Sequence, residues 1–332
     1  MLKCPGRFQG ELLMNRKDRW NHMSKKKRRT LKVMAGLVLL FLLLSLFVIC
    51  KIARLSFDKP PEAEEVSAAP QTVEEPPKHS RNTINILCLG TDLPLPGTGD
   101  RGRCDSTTLV SLNLLTGSMK VISFERGISI YVPSIWSDEL LTHVYSYEGA
   151  PGMVSAIERN FNVKVDGYVQ VNFDTFAQIV DAIGGVDIDL TDEEVTALNN
   201  EGYIYAGVWT QAYVTPGKNH LNGHDTLEYA RLRAVDDNFG RQQRQRTVMQ
   251  AMIKQVRNLP LFRLNHAVNK ILPLVHTNLP KGTLFRLFLH APQFLLSNLK
   301  QLQVPEKDGS ASYTMSNFSF KREQERIAEF LK

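Results

Sequence analysis

Five arginines, Arg231, Arg233, Arg241, Arg244 and Arg246, fall within sixteen residues of one another. Guanidinium groups gathered this closely suit an anion, because their planar fork can grip two phosphate oxygens through parallel hydrogen bonds. In YARLR the two arginines stand two apart and share a face only where the chain is extended. In RQQRQ, Arg241, Arg244 and Gln245 share a face where the chain is helical. A helix beginning between Asn238 and Gly240 adds the partial positive charge of its free N–H groups at the same spot, a ready phosphate site. That face continues through Val248, Met252 and Val256, so one stripe passes from cationic to apolar. A ligand with a charged head and a greasy tail would match it. The apolar half alone is what any amphipathic core helix shows, so the arginines carry the argument.

A second group lies earlier in the chain. Asp92 follows the apolar run INILCLG, and Arg103 and Asp105 lie in the Gly-rich segment GTGDRGRCDS. Carboxylates at strand ends can hold Mg²⁺, which takes oxygen ligands and commonly bridges protein and phosphate. An Asp in a Gly-rich loop is more often a turn residue. Of the four cysteines, Cys88 and Cys104 could pair, but Cys88 sits in an apolar run and reads as a small buried hydrophobe. No CxxC or Cys/His spacing points to zinc.

These residues need a scaffold. INILCLG reads as a buried strand ending in a loop, and TTLVSLNL and MKVISF read as a strand pair around the turn residues Thr116, Gly117 and Ser118. VDGYVQVNF alternates as a further strand. Phe176, Ile179, Val180 and Ile183 repeat at helical spacing behind Asp174 as a cap, Gly184-Gly185 ends that helix, and VDIDL follows as a short strand. Helical periodicity returns over 242–256, with further helices and at least one late strand or loop beyond. Strands mixed with crossing helices predict an α/β domain with a central sheet flanked by helices, spanning residues 81–332.

The net charge of +6 looks like a nucleic-acid signal until it is located. Residues 1–30 hold ten Lys or Arg against Glu11 and Asp18, a local +8, which leaves −2 for residues 31–332. The folded part is not basic, and nucleic acid is not the expected partner. Residues 33–50, VMAGLVLLFLLLSLFVIC, carry no charge and approach the ~20 apolar residues that cross a hydrocarbon core. The basic run from Lys25 to Arg29 places residues 1–32 in the cytoplasm and the rest outside. A cleaved signal peptide fits less well, since the apolar run is long and no small-x-small site follows. Ile49 before Cys50 argues against a lipoprotein. Residues 51–80 read as a stalk, its Pro, Glu and Ala bias beginning at Asp58. Met23, ahead of SKKKRRT, reads as a natural start.

With the segments NILCLGTD, RCDSTTLVSLN, VKVDGYVQVNF, FAQIVDAIGGVDIDL, HLNGHDTLEYARLR and NFGRQQRQ in this order, the chain resembles the LytR-CpsA-Psr family of cell-wall glycopolymer ligases. The match runs from about Asn82 to Met252 and more loosely to the C-terminus. The resemblance implies a phosphotransferase on a bacterial cell membrane of Gram-positive type. It would move teichoic acid, capsule or a similar polymer from a polyprenyl-pyrophosphate carrier to a peptidoglycan hydroxyl. Implied pyrophosphate contacts are Arg103, Arg126, Arg231, Arg233, Arg241 and Gln245, with Arg244 joining them on the shared helical face. Asp92 and Asp105 would hold Mg²⁺, and Val248 and Met252 would line a groove for the lipid. Asp105, Arg126, Arg233 and Asp237 would serve the reaction, with Asp105 or Asp237 accepting the proton. The chain departs from the pattern in three places: Arg126-Gly127 stands where the family usually has Arg-Asp, Asn238 where an acid often precedes FGR, and Cys104 where Ser is usual. Asp236 or Asp237 is placed to substitute for the second lost acid. Two other readings follow from those losses, a non-catalytic binder of polyprenyl lipids and a pyrophosphate hydrolase. Transcriptional regulation fits poorly with a ligand site outside the cell.

Overall fold

The computed structural model of the chain describes residues 47–57, 80–92, 101–200, 203–205, 208–210, 212–232, 235, 238–306 and 318–332. The basic stub lies outside the described residues, as does all but the last turn of the predicted span. Among the described residues no helix is long and apolar enough to cross a membrane.

Residues 51–332 form one compact unit. Its strands and helices follow in order: β1 (Ser56–Phe57), β2 (Thr83–Thr91), β3 (Cys104–Asn113), β4 (Met119–Phe124), β5 (Ser129–Val132), β6 (Ser137–Leu140), α1 (Leu141–Phe161) and β7 (Gly167–Asn172). Next come α2 (Phe173–Ala182), β8 (Val186–Leu190), α3 (Asp192–Asn200), β9 (Tyr203–Tyr205), β10 (Val208–Thr210), β11 (Gly217–Leu221) and α4 (Gly223–Arg231). The chain finishes with α5 (Asn238–Asn258), α6 (Leu261–Ile271), β12 (His276–Thr277), α7 (Lys281–Leu296), β13 (Leu299–Val304) and α8 (Phe320–Leu331).

Seven strands make the central sheet in the order β1-β12-β7-β2-β3-β4-β13. The β2–β3 and β3–β4 pairs are antiparallel, whereas β7 runs parallel to β2 and β13 parallel to β4. The expected mixed α/β sheet is therefore present. Because β2, β4 and β7 point the same way, their C-terminal ends meet the start of β3 at one end of the sheet.

Strand alternation sorts the side chains onto two faces. Leu87, Leu89, Leu109, Ile122, Phe124 and Tyr168 bury against α1 and α8, where the Phe161 ring lies 4.7 Å from Phe124 and 5.7 Å from Phe320. The opposite face carries Ile84, Ile86 and Leu112 at one end, packed with Leu279 and Phe294. Toward the other end the same face turns small and polar, with Cys88, Gly90, Ser106, Thr108 and Ser123. Cys88 and Cys104 do not pair, in line with the reading of Cys88 as an apolar-run residue: both thiols are free, on opposite faces of the sheet.

Three local details differ from the sequence reading. The cap of α2 is Asn172, whose side chain accepts the Thr175 N–H at 2.8 Å, and Asp174 sits in the first turn instead. The helix does end at Gly184-Gly185, both at positive φ (90° and 82°). VDIDL forms β8 as expected, but it pairs with β11 in a separate two-stranded ribbon. Residues 51–57, taken from sequence as the start of the stalk, belong to the domain. Ser56-Phe57 pairs with β12, and the Lys51 ammonium donates to Asn265 at 2.7 Å and to Asn269. These seven residues, KIARLSF, lack the Pro and Glu bias that marks an extended linker.

Candidate functional site

The small residues on the second face leave a hollow, and α2, α4, α5 and α7 roof it rather than fill it. The cavity measures about 810 Å³. α5 runs the length of it, from Arg241 and Gln245 through Val248 and Met252 to Val256, about 22 Å at 1.5 Å per residue. At the head, Arg241, Gln245 and Arg246 meet Asp105 and Ser106 from the start of β3, Gly90 from the end of β2 and Asn172 from the end of β7. Ser106 donates to Gln245 Oε1 at 3.3 Å and ties α5 to the sheet. Further along, Met249, Met252, Ile253 and Val256 face Phe176, Ile179 and Leu295. Charge thus gathers at the carboxyl end of the parallel strands, where open α/β sheets commonly bind ligands.

The two candidate groups converge. Asp105 lines the cavity and accepts from Arg126 Nη1 at 2.6 Å, which puts Arg126 at the head as well. Arg231 lines the cavity with its guanidinium 4.5 Å from the Phe173 ring and 3.1 Å from the Glu228 carboxylate. Val248 and Met252 lie in the apolar part as expected. Arg103 is exposed and does not line the cavity; its backbone pairs with Asp92, whose carboxylate also accepts the Arg103 N–H. Arg233, Asp236 and Asp237 lie outside the described residues.

Arg244 is a correction to the expected set. It is 3% exposed, donates to the Leu232 carbonyl at 2.6 Å and faces Glu194 at 3.8 Å, away from the cavity lining. Arg246 takes the place expected of it. Arg246 is buried against the cavity, with Nη2 donating to Gln243 at 2.5 Å and Nη1 without a protein partner, and burial lowers its pKa. Its presence in the arginine cluster was a visible signal. What sequence spacing could not supply was the rotation of α5 against the sheet, which puts Arg246 at one border of the lining and Arg244 just past the other. Ser106, Ser123, Phe173 and Glu228 also line the cavity without any sequence signal that singled them out.

Three further groups in or beside the site have shifted acidity. Burial pushes the Glu125 carboxyl above the ordinary range, against the downward pull of the Gly127 N–H and the charges of Arg241 and Arg126. Desolvation pushes both Cys88 and Cys104 up to about 12. Neither thiol is a nucleophile at neutral pH.

Asp92 and Asp105 stand at the same end of neighbouring strands, since Thr91 pairs with Cys104. Among the described residues no three His, Cys, Asp or Glu side chains converge on a metal position. A donor set of two carboxylates fits Mg²⁺, which retains waters and shares substrate phosphates, better than it fits a metal that needs a full protein cage.

The structure is an α/β protein whose mixed sheet is packed on one face and, on the other, hollowed into an apolar trough with a cationic head. A profile of the LytR_cpsA_psr family matches residues 54–332, and the chain belongs to that family. Among its relatives is the polyisoprenyl-teichoic acid–peptidoglycan teichoic acid transferase TagU of Bacillus mycoides, 32% identical over 225 residues, 67% of this chain and 68% of that one. The fold is shared with TagT bound to LIIa-WTA, at a TM-score of 0.59 and 22% identity over 76% of this chain and 90% of the other. It is likewise shared with the LytR-CPS2A-psr family protein YwtF (TagT) with bound octaprenyl pyrophosphate lipid, at 0.54 and 21% over 76% and 91%.

Proposed function

We propose that this chain moves a glycopolymer, teichoic acid, capsule or similar, from a polyprenyl-pyrophosphate carrier to a peptidoglycan hydroxyl and releases polyprenyl phosphate. The observation that carries the reading is the passage along α5 from Arg241 and Gln245 to Val248, Met252 and Val256 on one cavity wall. A long isoprenoid would gain by leaving water along the apolar part, while its diphosphate meets the guanidiniums at the head. The names of the curated relatives and the lipid bound to YwtF support the same donor class.

In the proposed reaction the acceptor hydroxyl attacks the sugar-proximal phosphorus in line. A new P–O bond forms to peptidoglycan, the bridging P–O bond breaks, and polyprenyl phosphate carries away the electron pair. Catalysis of this kind depends on positioning and on neutralising charge at the nonbridging and leaving oxygens. Arg231, Arg241 and Arg246 line the space for it, and Gln245 is braced by Ser106 to hold a phosphate oxygen. Arg126 orients Asp105, which with Asp237 is a proposed proton acceptor. Arg233 joins the cationic set by family resemblance. Asp92 and Asp105 would hold Mg²⁺, which supplies charge neutralisation to the diphosphate when bound. The domain would work outside the cell, carried by the 33–50 span with the basic stub in the cytoplasm.

The test is to incubate the detergent-solubilised full chain with Mg²⁺, a lipid-linked glycan donor and peptidoglycan fragments. A phosphodiester-linked product with release of polyprenyl phosphate is expected. Lipid retained without product would overturn transfer in favour of a binder, and phosphorylated glycan freed without acceptor would overturn it in favour of a hydrolase.

A further inference from the structure

Charge is unevenly placed in the folded part. From Asn238 to Pro305 the chain carries ten Lys or Arg and no Asp or Glu, which leaves −12 for the rest of residues 31–332. Arg241, Arg244 and Arg246 stand at or beside the cavity head; the other seven cations of the stretch are all exposed. Three of these, Arg257, Arg263 and Lys270, lie at the end of α5 and along α6. Among the described residues none of the three has an ion-pair partner.

The same corner exposes large apolar side chains. Leu261 and Phe262, the first residues of α6, are 85% and 73% exposed, and Leu296 at the end of α7 is 85% exposed. Arg257 joins these elements, its guanidinium donating to the Ser297 carbonyl. Single apolar residues on a surface are ordinary. Two in succession, on a helix that also exposes Arg263, His266 and Lys270, give the composition of a helix lying in a membrane interface. Val256 and Leu295, at the apolar end of the cavity, are the chain neighbours of Arg257 and Leu296, so this surface borders the tail end of the trough.

The preceding chain arrives at this surface. Lys51 directly follows the uncharged run 33–50. Its ammonium is tied to Asn265 and Asn269, and Arg54 donates to Asn269 at 3.1 Å. Phe262, Asn265 and Asn269 stand at i, i+3 and i+7 and so share one stripe of α6, with Phe262 about 4.5 Å along the axis from Asn265. The apolar run therefore ends beside the stripe that carries Phe262.

We propose that α6, with the end of α5, is a membrane-docking surface. Leu261 and Phe262 enter the interface of the bilayer that holds residues 33–50, while Arg257, Arg263 and Lys270 meet anionic lipid headgroups. Docking there brings the tail end of the trough to the bilayer, where a lipid-linked donor resides. The inference rests on the reading of 33–50 as a membrane span.

The test uses the full chain reconstituted into phosphatidylglycerol vesicles that contain a trace of phosphatidylglycerol with a photoactivatable diazirine on an acyl chain. After irradiation, labelled peptides are located by mass spectrometry. Label is expected in 33–50 and in 257–270, with α8, on the packed face of the sheet, as the unlabelled reference. In Arg263→Glu/Lys270→Glu, and separately in Leu261→Ser/Phe262→Ser, label in 257–270 should fall at least about fivefold while label in 33–50 holds. Both variants should melt with the parent, because all four side chains are exposed. Label confined to 33–50 in the parent, unchanged label in either variant, or equal label at 257–270 in phosphatidylcholine vesicles with a phosphatidylcholine probe overturns the inference and leaves the span intact. Absence of label from 33–50 overturns the span and the inference together.

Discussion

The two faces of the central sheet are built from the same strands and differ in one respect, the size of the residues on alternate positions. On one face Leu87, Leu89, Leu109, Ile122 and Phe124 fill the space to α1 and α8. On the other, Cys88, Gly90, Ser106, Thr108 and Ser123 stop short of α5, and the remaining volume is the cavity. α5 spans that gap without closing it: the Ser106–Gln245 hydrogen bond ties it to the sheet at the head, and its Met and Val side chains line the space beyond. The comparison teaches that the binding site here is a core left unfilled rather than a cleft between domains. One face is packed throughout, while the other is packed only at its Ile84, Ile86 and Leu112 end and hollow at the opposite end.

The sharpest way to break this division is to trim the packed face. Phe161→Ala, at a fully buried ring packed against Phe124 and edge-on to Phe320, should cost about 3–5 kcal/mol in chemical denaturation, with transfer per folded molecule little changed. A loss of transfer without loss of stability would show that the faces are not independent. Arg241→Ala tests the other side. Removing one preorganised donor from the head should lower kcat by about 10²- to 10³-fold in the transfer assay; equal turnover would remove Arg241 from the site.

Cys88→Phe fills the hollow without touching the head. Polyprenyl pyrophosphate should then bind more weakly than to the parent in lipid-binding titrations, whereas inorganic pyrophosphate should not distinguish the two. Equal lipid affinity would move the isoprenoid out of this trough.

The smallest expected effect concerns Glu125 and stability. Burial raises its folded-state pKa, so the folded chain holds that proton more tightly than the unfolded one. Its contribution is therefore fully present below the ordinary carboxylate pKa and is lost as pH rises through the raised folded value. Arg126 and Arg241 reduce that loss. Glu125→Gln should match the parent melting temperature in acid and exceed it toward neutral pH, measured by thermal melts across pH 4 to 8 at about one-unit steps. A variant less stable than the parent at neutral pH would mean that the two arginines overcompensate the burial.

Much of this was legible in the residue order. An apolar run marked β2, turn residues separated β3 from β4, alternation marked β7, and the Gly184-Gly185 pair marked the end of α2, because these signals are local. The helical stripe through Arg241, Gln245, Val248 and Met252 is an intrinsic property of spacing, and it predicted both the head and the tail of the cavity. The cap of α2 was misplaced by two residues because Asn172 and Asp174 are both competent caps, and only the exit angle of β7 chooses between them. VDIDL has the pattern of a sheet strand wherever it pairs, so its separation into the β8–β11 ribbon had no local signature.

The sequence by itself determined which chemistry is available: a set of guanidiniums, two strand-end carboxylates and an apolar stripe in a fixed order, all consequences of residue type and period. Tertiary structure alone decided which of them meet. Arg244 and Arg246 are equal in the sequence, but the rotation of α5 sends one to Leu232 and Glu194 and the other to the cavity. Glu125 is an unremarked acid until the fold buries it with Oε1 unpartnered. The reason is the same in both cases: spacing sets which side chains share a face, while packing against the rest of the molecule sets what that face confronts.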